Sequence, residues 1–304
     1  MLTINTKIEI YFPIFWQTKF FSLFNQAICL TKVIYVFILI IMDKKQKRVV
    51  VITGASSGIG LATAKKFYAE GDKVYSLSLS ASDRNINSFV CDVTSSVQVE
   101  DCLKKIFEKE GRIDIFINNA GMGVSGAVEY VDRHKNEKEI ALNLEAMIDC
   151  SRLAIPYLKQ SRGTIMFTSS VAAVVPLPFQ AVYSSSKSGV NMFCLALRME
   201  LAPFGVKVCA VMPGDTKTNF TAAREKVEAE NDYENRVQKS VKKMELDEQN
   251  GKSPFVVANV FYKQSKKKNP KPLVIVGFSY KLIGFLAKIL PIRLMLFIVK
   301  KIYG

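Results

Sequence analysis

Val49-Val50-Val51-Ile52-Thr53-Gly54-Ala55-Ser56-Ser57-Gly58-Ile59-Gly60 begins as a strand and ends as the first turn of a helix. Four β-branched residues in a row suit a strand buried on both faces. Glycines then follow at 54, 58 and 60. They let the backbone turn sharply and approach a bulky ligand. The helix that opens there offers unpaired N–H groups and a partial positive charge, which favour phosphate. The spacing is neither GxGxxG nor a loop ending in GK[ST]. Gly54-x-Ser56-x-Gly58 also fits the nucleophile elbow of a hydrolase. That chemistry needs a histidine, and the only one, His134, lies in the charged run Asp132-Arg133-His134-Lys135. An elbow also follows several strands, whereas this turn follows the first. The hydrolase reading is therefore disfavoured.

Outward from this turn the chain alternates strand and helix. A helix over 57–69 stops at Gly71. Strands are predicted at 74–77, 89–91, 113–117, 164–168, 206–211 and 273–277. Helices are predicted over 97–109, 136–158, 182–201 and 253–263, the last with Ser253 as N-cap and Pro254 in the first turn. Such alternation predicts an α/β architecture, a three-layer Rossmann fold with a doubly wound parallel sheet of about seven strands. Ligands of such sheets bind at the carboxyl ends of the strands. Residues 219–252 break the rhythm with a charged, Lys/Glu-rich stretch and no strand, which predicts a helical lid or substrate insertion. The α/β domain is expected over 42–278, and a basic amphipathic helix over 279–304.

Four further motifs fall at strand ends or on the next helix. Asp92-Val93 follows the third strand, and Asn118-Asn119-Ala120-Gly121 ends the fourth. Ser170 follows the next strand, thirteen residues before Tyr183, and Tyr183 and Lys187 are four apart at a helix start, so both share one face. Pro213-Gly214-Asp215-Thr216-Lys217-Thr218 follows the sixth strand. Singly, each has a plain structural explanation: a turn, a solvated helix face, a packing residue.

Together and in this order they resemble the short-chain dehydrogenase/reductase family, with its TGxxxGxG loop, NNAG and Ser-Tyr-xxx-Lys motifs, over about residues 48–278. The hydroxysteroid and retinol dehydrogenase branches look nearest. The resemblance implies an NAD(P)-dependent oxidoreductase acting on a carbonyl or secondary alcohol. It makes Tyr183 the general acid/base. Lys187 lowers its pKa and holds the ribose, Ser170 polarises the carbonyl, and Asn143 supports the proton relay. It assigns cofactor contacts to Gly54, Ser56, Ser57, Gly58, Ile59, Gly60, Ser78, Asp92, Val93, Asn119, Ala120, Gly121, Tyr183, Lys187, Pro213, Gly214 and Thr218, and no metal. A free tyrosine titrates near 10, so an ammonium and the positive ring of the oxidised cofactor would be needed to favour phenolate. A non-catalytic dinucleotide sensor or scaffold is the alternative.

The second strand ends near Ser78 without the carboxylate that selects NAD through the ribose 2′-hydroxyl. NADP(H) is thus favoured over NAD(H), with Arg84 a candidate partner for a 2′-phosphate. Val174-Val175-Pro176-Leu177-Pro178-Phe179 is apolar. It predicts a small hydrophobic carbonyl or alcohol substrate, and the resemblance to the hydroxysteroid and retinol dehydrogenase branches implies one that is steroid-, retinoid- or lipid-like. The helices over 136–158 and 182–201 suggest, by resemblance, a homodimer or homotetramer.

At 49% hydrophobic residues, the 304-residue chain can fill the core of one large domain. The six cysteines are scattered and lack CxxC spacing, so reduced core residues in a reducing compartment are expected. The net charge of +15 does not read as nucleic-acid binding. From Lys263 to the C-terminus there are ten Lys/Arg and no acid, interleaved with Leu282, Ile283, Phe285, Leu286, Ile289 and Leu290. That is either a solvated basic face or a membrane-surface contact for anionic headgroups. Residues 1–41 are hydrophobic and read as a start-site extension or a weak membrane anchor; a signal peptide fits poorly. If they span, Lys44, Lys45, Lys47 and Arg48 place the enzyme on the cytoplasmic side. The expected location is cytoplasmic, free or on a membrane's cytoplasmic face.

Overall fold

The computed structural model describes residues 46–227, 233 and 235–304. The N-terminal extension, with Cys29, and residues 228–232 and 234 of the expected insertion lie outside the described residues. From Arg48 onward the chain is one body.

Its strands are β1 (Val49–Thr53), β2 (Lys73–Ser78), β3 (Asn87–Val90), β4 (Ile115–Asn118), β6 (Thr164–Thr168), β7 (Lys207–Met212) and β9 (Leu273–Ile275). They form a seven-stranded sheet in the order β3-β2-β1-β4-β6-β7-β9. Every pairing is parallel. This is the doubly wound Rossmann arrangement expected, in which ligands bind at the carboxyl ends of the strands.

The alternation of side chains along β1 shows how the sequence builds three layers. Val49 and Val51 enter one core with Phe116, Ile165, Phe167 and Val208. That core is closed by α2 (Ser96–Glu110), α4 (Ala146–Ser161) and α5 (Ala181–Leu201). Val50 and Ile52 enter the other, with Ile117, Met166 and Val211. Phe67 of α1 (Gly58–Ala69) and Phe261 of α8 (Pro254–Ser265) cover that side. All five residues of β1 are buried, which is why its sequence is continuously apolar rather than alternating. The described cysteines are free and buried in these layers.

Three departures from the sequence expectation are informative. The long helix predicted over 136–158 is α3 (Arg133–Ile140), a π turn over Ala141–Glu145, then α4. The insertion is not strand-free: after α6 (Phe220–Ala223), β8 (Glu225–Lys226) pairs in parallel with β5 (Val124–Ser125) before α7 (Arg236–Gln249) begins. Two residues are too short for any periodicity to register. The C-terminal helix is two helices, α9 (Phe278–Ile289) and α10 (Ile292–Tyr303). Leu290 leaves the helical region just ahead of Pro291, whose ring disfavours helix at the preceding residue.

Candidate active site

The glycine turn and the strand ends around it form a cradle that excludes side chains at Gly54 and Gly60. Gly54 and Gly58 take positive φ of 66° and 55°. A Cβ on Gly54 would sit 2.8 Å from Ala120 Cα, and one on Gly60 would sit 2.2 Å from the Gly54 carbonyl oxygen. Gly58 faces Thr218, whose Cβ lies 3.5 Å from where a side chain would start. The first and sixth strand-end loops therefore meet across this turn. Ser57 caps α1 in extended backbone, leaving its hydroxyl unused by the helix. The first-turn N–H groups of α1 and this bare backbone fit a pyrophosphate.

Asn119 locks the cradle to the sheet. Its side-chain amide donates to the carbonyls of Thr53 (3.1 Å) and Gly54 (3.2 Å). Its oxygen accepts from Thr168 Oγ1 at 2.9 Å. The Asn119 and Ala120 N–H groups both donate to Thr53 Oγ1. Three strand ends are tied at one point. On the far side, Ser78 is buried and Ser82 donates to the Ala55 carbonyl at 2.6 Å. Cys91 N–H donates to Ser78 O at 2.9 Å, bringing Asp92 and Val93 beside the end of β2. Arg84 is exposed on the loop between β2 and β3.

Ser170, Tyr183, Lys187 and Asn143 lie around one point beside Gly121 and Thr168. Ser170 Oγ accepts from Ala172 N–H at 3.1 Å, and its hydroxyl is near enough to Tyr183 to pull the phenol pKa down. Lys187 Nζ lies 5.7 Å from the Tyr183 ring centre and donates to Thr168 O at 3.2 Å. A Cβ on Gly121 would lie 3.0 Å from Asn143 Oδ1 and 3.5 Å from Lys187 Nζ, so Gly121 leaves the space these two share. Asn143 is fully buried and clamps Met122 through both backbone groups, at 2.9 Å each. It sits in the π turn, where Ala146 N–H reaches back to Ala141 O and local carbonyls are released from the usual ladder.

The electrostatics differ from the simple expectation of a depressed tyrosine. Desolvation pushes the Tyr183 phenol up to about 12, while Ser170 and the Arg224 charge pull it down. Desolvation pushes Lys187 down to about 8, opposed by Glu139. The protein alone thus holds a neutral phenol beside a lysine poised to change charge near neutral pH.

Several residues here escape sequence reasoning. Glu139 is fully buried one turn before Asn143 and accepts from Val124 N–H at 3.0 Å. Its carboxyl is pushed up to about 7 by desolvation. Arg224, 5% exposed, pairs with Glu248 of α7 and lies 5.7 Å from the Phe220 ring centre. Phe220 in turn packs 6.0 Å from the Tyr183 ring. Phe220, Arg224 and Glu248 roof the phenol. Beside them Ala127, Tyr130, Phe179, Tyr233, Val237 and Val241 form an apolar cluster between the 174–180 loop and α7. Phe179 holds a positive φ of 61°, uncommon for an aromatic residue. Charged residues in Lys/Glu-rich stretches read as solvated, so only the tertiary fold reveals Glu139 and Arg224.

Among the described residues no cluster of His, Cys, Asp or Glu is placed to hold a metal. The short chain dehydrogenase family model matches residues 48–229. A 3-ketodihydrosphingosine reductase of Bacteroides thetaiotaomicron is 35% identical over 246 residues, covering 77% of this chain and 91% of that protein. A 3-ketoacyl-(acyl-carrier-protein) reductase from Brucella melitensis, solved with NADH, superposes with a TM-score of 0.63 at 22% identity, over 75% of this chain and 96% of its own. ElxO, solved with NADP, gives 0.64 at 25% identity, over 78% and 99%. The chain belongs to the short-chain dehydrogenase family and is an oxidoreductase of that kind.

Proposed function

We propose that the protein is a reductase that uses NAD(P)H to convert a long-chain lipid ketone to its secondary alcohol. The observation that carries this is the convergence of Ser170, Tyr183 and Lys187 beneath Phe220 and beside the apolar cluster at Phe179. Such walls suit an alkyl chain, and the Bacteroides relative is named for a keto lipid. The dinucleotide supplies the hydride. The bare turn Gly54–Gly60, with Ser56, Ser57 and Ile59, holds its pyrophosphate. Asn119–Gly121, Pro213, Gly214 and Thr218 line its nicotinamide side, and Asp92 and Val93 its adenine side.

The substrate oxygen rests between the Ser170 and Tyr183 hydroxyls. Ser170 donates a hydrogen bond as negative charge develops. Tyr183 then gives its proton to that oxygen. A phenol near 12 resists this transfer until Lys187, charged below about 8, stabilises the phenolate. Lys187 also binds the ribose, and the π turn at Asn143 links it to solvent for reprotonation. NADP(H) is the preferred form, because no carboxylate stands at Ser78 to repel the 2′-phosphate, and Arg84 lies exposed in the next loop. The working unit is a homodimer or homotetramer built on α4 and α5, placed at the cytoplasmic face of a membrane where its substrate resides.

The test is NADPH consumption with a panel of long-chain 3-keto lipids, steroid and retinoid carbonyls and polar sugars. Turnover of the lipid ketones with kcat/KM at least tenfold above the sugars is expected. Turnover confined to small polar carbonyls would sink the proposal.

A further inference from the structure

The C-terminal pair α9–α10 is an anomaly for a water-facing surface. Each helix meets the body through a narrow stripe. Tyr280 and Gly284 face inward on α9, and Met295, Val299 and Tyr303 on α10. The remaining apolar side chains point outward. Phe278 is 82% exposed, Phe285 58%, Ile289 59%, Ile292 62% and Phe297 58%. Leu282, Ile283, Leu286, Leu294, Leu296, Ile298 and Ile302 are exposed as well. A contiguous apolar surface of this kind marks a binding face rather than ordinary scatter.

Charge decides what it binds. Residues 278–304 carry Lys281, Lys288, Arg293, Lys300 and Lys301 and no acidic residue. All five cations are exposed among the apolar side chains. A two-fold pairing of this face with a second copy would set like charge against like. An anionic lipid surface complements both properties at once. Each helix has twelve residues, about 18 Å long, against a hydrocarbon core of about 30 Å. Among the described residues no helix is long and apolar enough to cross a membrane. The pair can lie in the interface only.

We propose that α9–α10 docks the enzyme on a bilayer rich in anionic phospholipid, with Phe285, Ile289 and Phe297 inserted and the five cations at the headgroups. The attachment of the pair gives this docking a consequence. The Tyr280 ring fills the space over Gly214, where a Cβ would clash at 2.5 Å, and its hydroxyl donates to Asp215 in the cofactor loop. Tyr303 donates to Asp247 of α7 at 3.1 Å. The docked pair is therefore fixed to both the Pro213–Thr218 loop and the helix roofing Tyr183. The docking itself does not depend on which ketone is reduced.

Co-sedimentation of the full chain with phosphatidylcholine vesicles, with and without about a third phosphatidylglycerol, tests the proposal. Strong binding to the anionic vesicles, weak binding to the neutral ones and release by high salt are expected. The triple variant Lys281→Gln, Lys288→Gln, Arg293→Gln should bind on the order of 100-fold more weakly, roughly fivefold per cation. The pair Phe285→Ser, Phe297→Ser should also detach. Both variants should keep the wild-type circular dichroism and the wild-type turnover of a water-soluble ketone. Wild-type vesicle binding by either variant overturns the proposal, because the N-terminal segment or another face then holds the membrane. So does a failure of the unaltered chain to bind anionic vesicles. Loss of a dimer in Phe285→Ser, Phe297→Ser by light scattering, without loss of vesicle binding, assigns the face to a second copy and also overturns it.

Discussion

At the scale of single residues, the site rests on how burial divides charge among Tyr183, Lys187 and Glu139. Tyr183→Phe removes the only proton that the phenol can give, without changing ring packing against Phe220. It should lower kcat by about 100- to 10,000-fold, the usual worth of a positioned acid, while dinucleotide affinity by fluorescence titration stays within about twofold of wild type. Retained turnover would refute the role. Glu139 acts at one remove. Its carboxyl titrates near 7 because desolvation raises it against the pull of Lys187 and Arg224, with Glu225 pushing the same way as desolvation. Above that pH its charge helps keep Lys187 an ammonium. Glu139→Gln retains an oxygen for Val124 N–H and loses the charge. The Lys187 ammonium should then be lost at lower pH, moving the alkaline limb of kcat/KM down from near 8. Stability should move oppositely. A carboxyl raised from its ordinary value costs stability as pH rises through that window to about 7, so the variant should be the more stable above pH 7, by about 1–3 kcal/mol. The difference should vanish in acid, as read from urea midpoints across pH. Tyr183, Lys187 and Ser170 were legible in the sequence because a strand end and one helical turn fix their spacing. Glu139 was not, since Lys135–Glu139 reads as a solvated charged run and only the packing of α3 beneath Val124 buries it.

Elements explain what the spacing alone left open. The glycine turn was readable because its geometry tolerates no Cβ: positive φ at Gly54 and Gly58, and contact of Gly60 with the Gly54 carbonyl. Gly60→Ala would drive that carbonyl and the Asn119 amide, 2.5 Å from the new methyl, apart. Since Asn119 ties three strand ends, the cost is both local and to the sheet, about 1–3 kcal/mol or more. Calorimetric titration should find dinucleotide binding lost while far-UV circular dichroism persists; wild-type affinity would mean that the turn does not cradle the phosphates. The π turn at Asn143 has no sequence signature, because its residues are as helix-compatible as their neighbours. The break between α9 and α10 did have one in Pro291, outweighed in the sequence by the unbroken amphipathic pattern around it. The β5–β8 pair is the opposite case. It arises from the close approach of two loops at Gly123 and Glu225, which nothing local dictates.

At the scale of the whole molecule, the bound dinucleotide would join loops from β1, β2, β4 and β7, which belong to both core layers of one sheet. Binding should therefore stabilise the body from Arg48 onward as a unit. A ligand at 100 times its dissociation constant adds about 2.7 kcal/mol. For a domain of this size that raises the melting temperature by about 5–10 °C. The two nicotinamide cofactors differ only by the 2′-phosphate, so the same measurement reads their discrimination. With Ser78 in place of a carboxylate, NADPH should reach a given rise at lower concentration than NADH. Arg84→Ala should erase part of that advantage and leave the NADH curve unchanged. A larger rise with NADH at equal concentration would reverse the cofactor preference while leaving the reaction class intact, because hydride transfer and the Tyr183 proton lie at the other end of the dinucleotide. The two ends of the site are thus separable. The sequence constrains the nicotinamide end through four spaced residues, but it marks the adenosine end only by the charge missing at Ser78.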